Sequence, residues 1–375
     1  MKTLIRNGKI ILEDEIIESD LLIDDDKILG FQNSDDAKVI DAHGLYVSPG
    51  FIDVHTHGRK GADTMDATKE SLEIMSREHL KTGVTSFLPT TMTMPIEDVA
   101  RAMDAIGQYK DEVTGAKIIG VHLEGPFISA KYKGAQPESA IIAPSIENYK
   151  ALCHGHEELV KKMTIAPERE GALELIDYLA KHEVSVSVGH SNATFEETVK
   201  AIHYGANSTT HTYNAMTPLH HREPGIVGTA MLNQRLYAEL ILDGKHVKWP
   251  SARVLAEMKD DDKLVLVTDS LEAAGMPVGE YMLGGQKVFV KDGRAELENG
   301  TIAGSIAGMN EEVRHAVEHL NVSLVKAVNY ASRNPADSLN RKDLGRIAPG
   351  AKADLIFFNA NIDIMHAMVD GIVKF

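Results

Sequence analysis

Apolar positions along the central part of the chain fall into short runs separated by longer, mixed stretches. Eight runs stand out: Phe51–His57, Val84–Thr90, Ile118–Glu124, Met163–Ala166, Val184–His190, Ser208–His211, Tyr237–Asp243 and Lys263–Asp269. The segments between them include amphipathic helix candidates at Thr68–Thr82, Ile96–Ile106, Gly171–His182, Thr194–Tyr204 and Pro250–Met258. Strands alternating with helices imply parallel βαβ units. Eight such units are the number that closes a (β/α)8 barrel of the TIM type, with a doubly wound open sheet as the competing architecture. Both ends of the chain read differently. Lys9–Leu12, Asp20–Ile23 and Lys27–Leu29 are β-prone runs near the start, and Ala353–Phe358 and Met368–Phe375 are their counterparts near the end. The pattern predicts that the two ends pair into one small β domain. The expected divisions are 1–50 and 347–375 for that β-sandwich and 51–346 for the barrel. Gly284–Gly300 carries β-prone runs on either side of Asp292-Gly293 and reads as a hairpin.

Composition narrows the function classes. The 375 residues carry 39 lysines and arginines against 55 acidic residues, a net charge of −16. No basic stripe is available to displace counterions from nucleic acid or to dock on anionic lipid. No run reaches the roughly 18 apolar residues a membrane span needs, and the first residues lack the apolar core of a signal peptide. Cys153, the single cysteine, has no intrachain partner, which fits a reducing cytoplasm. Histidine is the unusual count, at 17, and imidazole is the commonest protein metal ligand.

Those histidines are not scattered. His55 and His57 end the first run two residues apart, so strand alternation points them the same way. Glu124 ends the third run, His190 the fifth, His211 the sixth and Asp269 the eighth. Val184, Val186 and Val188 share the face of His190, and Val265 and Val267 that of Asp269. The C-terminal rim of a barrel is where active sites form. Six such polar groups are costly to leave unpaired there, and a divalent cation removes that cost. His122 falls on the same face as Glu124, one layer deeper. His79, His154, His156, His182 and His203 lie in helical or loop stretches and are expected at the surface.

Pro49-Gly-Phe-Ile-Asp-Val-His-Thr-His57 resembles the opening motif of the amidohydrolase superfamily. Further segments resemble one branch of it, the N-acetylglucosamine-6-phosphate deacetylases: His122-Leu-Glu-Gly-Pro-Phe127, Gly189-His-Ser-Asn-Ala193, Thr210-His-Thr-Tyr-Asn-Ala-Met216, Arg222-Glu-Pro-Gly225, Asp243-Gly-Lys-His246, Val267-Thr-Asp269 and Ile302-Ala-Gly-Ser305. The similarity runs nearly end to end. It implies a metal-bearing (β/α)8 barrel with a small β-sandwich built from both ends of the chain. It implies hydrolysis of the acetamide of N-acetyl-D-glucosamine 6-phosphate by metal-bound hydroxide, with Asp269 as general acid/base and sixth metal-site residue. Glu124 would bridge two cations, His190 and His211 would complete one site, and His55 and His57 would hold the second. Some members have asparagine in place of the second histidine and bind one cation; this chain keeps both. The resemblance assigns the sugar phosphate to Ala135, Gln136, Asn214, Ala215, Arg222, His246, Ile302, Ala303, Gly304 and Ser305, with Arg222 acting from a second subunit of a homodimer. Gln136 stands where some members have a histidine that polarises the acetyl carbonyl. Zinc, iron, manganese and cobalt all suit the donor set, one or two per subunit. The alternative is another amidohydrolase acting on a different N-acyl or cyclic amide. Many of those use a carboxylated lysine from the fourth strand, and the expected fourth strand, Met163–Glu168, has none.

Overall fold

The computed structural model describes residues 1–375. All eight expected strands form and run parallel, with extents Phe51–Thr56, Val84–Thr91, Val121–Glu124, Val160–Ile165, Ser185–Val188, Ala206–Thr209, Tyr237–Leu240 and Leu264–Leu266. The first strand pairs with the second. The other side closes at the rim, where the Asp269 N–H donates to the His55 carbonyl and the His57 N–H to the Ser270 carbonyl, both at 2.8 Å. The fold is therefore the (β/α)8 barrel, not the open sheet. Helices Lys69–Leu80, Ile96–Tyr109, Ala172–Lys181, Phe195–His203 and Trp249–Met258 lie where the periodicity put them. Thr194 and Glu197 form a reciprocal capping box that starts the fourth of these.

Two readings of the sequence are corrected. His79 is not at the surface: it is fully buried on the inner face of Lys69–Leu80, stacked on Phe87, with Nε2 3.1 Å from the Thr56 hydroxyl. Burial holds its pKa well below the usual histidine value, so a neutral, hydrogen-bonded ring is what the helix face accommodates. The fourth strand also begins three residues earlier than its apolar run, at Val160, and so includes Lys161 and Lys162. Lys162 points into the barrel, but one layer below the rim, in register with His122.

Both ends of the chain share an eight-stranded sheet in which Leu355–Phe358 lies antiparallel to Tyr46–Pro49, which in turn pairs with Lys2–Ile11. This small β-sandwich has its own core of 13 buried residues, drawing Ile5, Ile10, Leu21 and Val47 from the start and Leu355, Phe357 and Met368 from the end. So small a core does not tolerate losing one contributor. Deleting residues 356–375 removes Phe357 and Met368, and a buried phenylalanine alone is worth about 3–5 kcal/mol. Amide exchange in Lys2–Ile11 is expected to accelerate about a hundredfold or more; unchanged exchange would show that the ends are independent. The expected hairpin forms as Gln286–Lys291 and Arg294–Leu297, with Gly279–Leu283 as a third strand. This sheet brings Leu283 to the mouth of the barrel. No helix is long and apolar enough to cross a membrane.

Candidate metal centre and sugar-phosphate pocket

The strands stop just short of the residues that matter. Val188, Thr209 and Leu266 are the last strand residues before His190, His211 and Asp269. All three of these adopt left-handed backbone, with φ of 42°, 30° and 46°. Non-glycine residues rarely do so, at a cost of about 1–3 kcal/mol each. The rim is thus bent at the points where it presents a ligand-type side chain.

Six side chains converge there. Glu124 Oε1 lies 3.2 Å from His55 Nε2, 3.2 Å from His190 Nε2 and 3.1 Å from His211 Nε2. Its Oε2 lies 3.0 Å from His57 Nε2. Asp269 Oδ1 is 3.4 Å from both His55 and His57 Nε2. The His190 and His211 Nε2 atoms face each other at 3.2 Å. Two triads, His55–Glu124–His211 and His55–His57–Asp269, have donor atoms close enough to share one ion each.

The outer nitrogens decide what this cluster can hold. His57 Nδ1 is 3.2 Å from the Thr90 carbonyl and His190 Nδ1 3.0 Å from the Tyr132 carbonyl. Carbonyls only accept, so Nδ1 carries the proton and Nε2 offers a lone pair to the centre. Lone pairs of neutral imidazoles facing each other and a carboxylate repel. A cation between them, or an added proton, is required. The protonation tendencies agree: although burial opposes charge, the Asp269 and Glu124 carboxylates hold His57 up to about 10. Glu124 and Asp269 themselves lie below the usual carboxylate range, because the surrounding imidazoles outweigh their desolvation. The donor set, with backbone carbonyls orienting the rings, fits one or two divalent transition ions.

A cavity of about 420 Å³ opens above the cluster. His57, Glu124, His190, His211 and Asp269 form its floor, and His55 lies fully buried beneath. Ala135, Gln136, Asn214, Ala215, His246, Ile302, Ala303 and Gly304 line its walls. His246 is held by Asp243 Oδ2 at 2.7 Å. Ser305 does not reach the cavity: it is buried, and its N–H donates to the Asp269 carbonyl at 2.8 Å. Arg222 is exposed and outside the cavity of its own chain, its guanidinium 2.8 Å from His221 Nε2. Gln136 is already engaged, donating to Glu124 Oε2 at 2.6 Å while its carbonyl accepts the Thr93 N–H at 2.8 Å.

Several contributors were not foreseen. Lys131 is the one lysine or arginine on the cavity walls, and Met92, Leu283 and Thr301 join it there. Only the three-dimensional path of the loops brings these together. Glu239 and Lys162 are buried under His55; Glu239 had a readable signal as the single charge of Tyr237–Leu240, whereas Lys162 stands beside the exposed Lys161. Lys162 also corrects the statement that the fourth strand has no lysine. It is paired with Glu239 and lies below the rim, so it does not take a bridging place.

A barrel whose rim gathers imidazoles and carboxylates from its first, third, fifth, sixth and eighth strands defines a class of metal-dependent hydrolase. The amidohydrolase family profile matches residues 46–374, and the chain belongs to that family. Among its relatives, N-acetylglucosamine-6-phosphate deacetylase of Bacillus subtilis is 38% identical over 383 residues, covering 99% of this chain and 97% of the relative. N-acetylgalactosamine-6-phosphate deacetylase of Escherichia coli O157:H7 is 36% identical over 86% of each chain. The N-acetyl-D-glucosamine-6-phosphate deacetylase of Mycobacterium smegmatis, solved as a mutant in complex with N-acetyl-D-glucosamine-6-phosphate, superposes with a TM-score of 0.93 at 30% identity over 99% of both chains.

Proposed function

We propose that the protein hydrolyses N-acetyl-D-glucosamine 6-phosphate to D-glucosamine 6-phosphate and acetate, using one or two divalent cations held by His55, His57, Glu124, His190, His211 and Asp269. The observation that carries this reading is the convergence of those six groups, five on the floor of the cavity and His55 just beneath it, under walls that match the deacetylase motifs. A divalent cation in such a site acts as a Lewis acid and lowers the pKa of water from about 16 to about 7. Asp269, ionised at neutral pH and open to the cavity, accepts the proton of the attacking water. As the C–O bond forms, the acetamide carbon becomes tetrahedral. As the C–N bond then breaks, the Asp269 carboxyl returns the proton to the leaving amine. Gln136 orients Glu124 instead of the acetyl carbonyl.

The sugar lies against Ala135, the backbone of Asn214 and Ala215, and the Ile302–Gly304 loop, with His246 at its edge. Lys131 supplies positive charge for the phosphate from within the chain. Arg222 supplies it from a second copy, which makes the working unit a homodimer. Cys153, unpaired and buried, and a charged sugar that does not cross membranes unaided support a cytoplasmic location.

The test is acetate release from the 6-phosphate compared with the unphosphorylated sugar and the galacto epimer. The 36% identity to the galactosamine enzyme supports some turnover of the epimer. Lys131→Met is expected to raise KM for the phosphorylated sugar about tenfold, the worth of one charge-assisted contact, and to leave the unphosphorylated sugar unaffected. Equal rates on phosphorylated and unphosphorylated sugar in the parent protein would contradict phosphate recognition.

A further inference from the structure

Below the cation ligands the barrel holds a second charged group that the reaction does not use. Lys162 and Glu239 form an ion pair in which each side chain is 1% exposed. Burying two charges is unfavourable unless the remaining polar atoms are also satisfied, and hydrophobic replacements of similar volume often serve stability equally well. Stability alone therefore does not account for the pair. What Glu239 touches does. Its Oε2 lies 3.3 Å from His55 Nδ1 and accepts the His211 backbone N–H at 3.1 Å. These two histidines both approach Glu124 Oε1 and come from the ends of different strands. With Nδ1 facing a carboxylate, the His55 proton stays on that nitrogen, and Nε2 faces Glu124 and Asp269 without a well-aligned hydrogen bond of its own. Where His57 and His190 have backbone carbonyls as their outer partners, His55 has this side chain. The ion pair with Lys162 is made through the other carboxylate oxygen, Oε1, so that Oε2 remains for the histidines.

Resting on the reading that the rim binds divalent cations, we propose that the Lys162–Glu239 pair is the positioning device of the centre. It fixes the tautomer of His55 and the backbone of His211 together, and so sets the affinity for the cations. Neither residue touches substrate.

The experiment compares two double variants in which the buried charges leave together, so that no orphaned ammonium confuses the result. Lys162→Met/Glu239→Gln keeps a carbonyl that can accept the His55 proton. Lys162→Met/Glu239→Leu does not. Metal-free samples of both, and of the parent, are titrated with cobalt(II), read by its visible absorption and by elemental analysis after dialysis. Loss of an outer partner of a metal-bound histidine typically weakens affinity about 10–100-fold. That loss is expected for the Leu variant, with altered cobalt bands, while the Gln variant stays within a few-fold of the parent. Steady-state kinetics on the same samples should show the Leu variant lowered in kcat with KM for the sugar unchanged. Identical affinities and spectra for the two variants would overturn the proposal, because a purely structural pair would not distinguish them. A parent protein that takes up no cobalt overturns the cation reading itself, and that result is separable from the first.

Discussion

Replacing Asp269 with Asn is expected to lower kcat by about a thousandfold, within the range of about 10²–10⁴ for loss of a positioned general acid/base, while at least one cation stays bound. The geometry makes the substitution selective. Asp269 has φ of 46°, and asparagine tolerates left-handed backbone better than most residues. The rim therefore keeps its shape, and the N–H donated to the His55 carbonyl is retained. The triad His55–Glu124–His211 does not include Asp269 and still offers three donors. What disappears is a group able to take a proton from water and return it to the amine. KM should change little, because the sugar contacts lie on other walls of the cavity. Elemental analysis and acetate-release kinetics on one preparation check both halves. Turnover within tenfold of the parent would move the acid/base role elsewhere.

Removing the cations is expected to destabilise the protein, and increasingly so as the pH rises. In the cation-free state protons take over the neutralising role. His57, opposed by its own burial but held by Asp269 and Glu124, rises to about 10, against about 6.5 for histidine in an unfolded chain. A histidine raised in this way contributes stability that is fully present below pH 6.5 and is lost as the pH climbs through its folded value. The cation-free protein should therefore weaken between about pH 6.5 and pH 10. The loaded protein behaves oppositely, because the cation competes with protons for the same nitrogens and binds more tightly as they leave. At a free cation concentration of about a thousand times Kd, binding adds about 4 kcal/mol. Thermal unfolding with and without chelator, at several pH values, should give a gap in Tm that widens from pH 6.5 upward. A constant or narrowing gap would show that the imidazoles are not the competing sites.

The barrel was legible because its pattern is redundant. Eight runs and their helices agree on one architecture, and an error in one boundary does not change the count. The rim cluster was legible because each of its members closes an apolar run, where an unpaired polar side chain is costly. The misreadings have specific physical origins. His79 sits on a helix whose inner face is only weakly apolar, so its burial is decided by Phe87 and Thr56 on neighbouring strands. The fourth strand was cut short because Lys161 and Lys162 interrupt the apolar pattern, yet Lys162 is solvated by Glu239 from three strands away. Such pairing is invisible to any local reading. Ser305 and Arg222 follow the motif but not the cavity: one braces the Asp269 backbone and the other projects outward from its own chain. Lys131 carries no motif at all and reaches the mouth through a short 3-10 turn at Ala130–Tyr132.

The most direct measurement is a titration of metal-free protein with zinc or manganese in which bound cation and acetate released from N-acetyl-D-glucosamine 6-phosphate are counted in the same sample. Acetate production should begin near zero, rise with occupancy and level off at one or two cations per chain. Full turnover before any cation is added, or tight uptake that yields no acetate, would contradict the account.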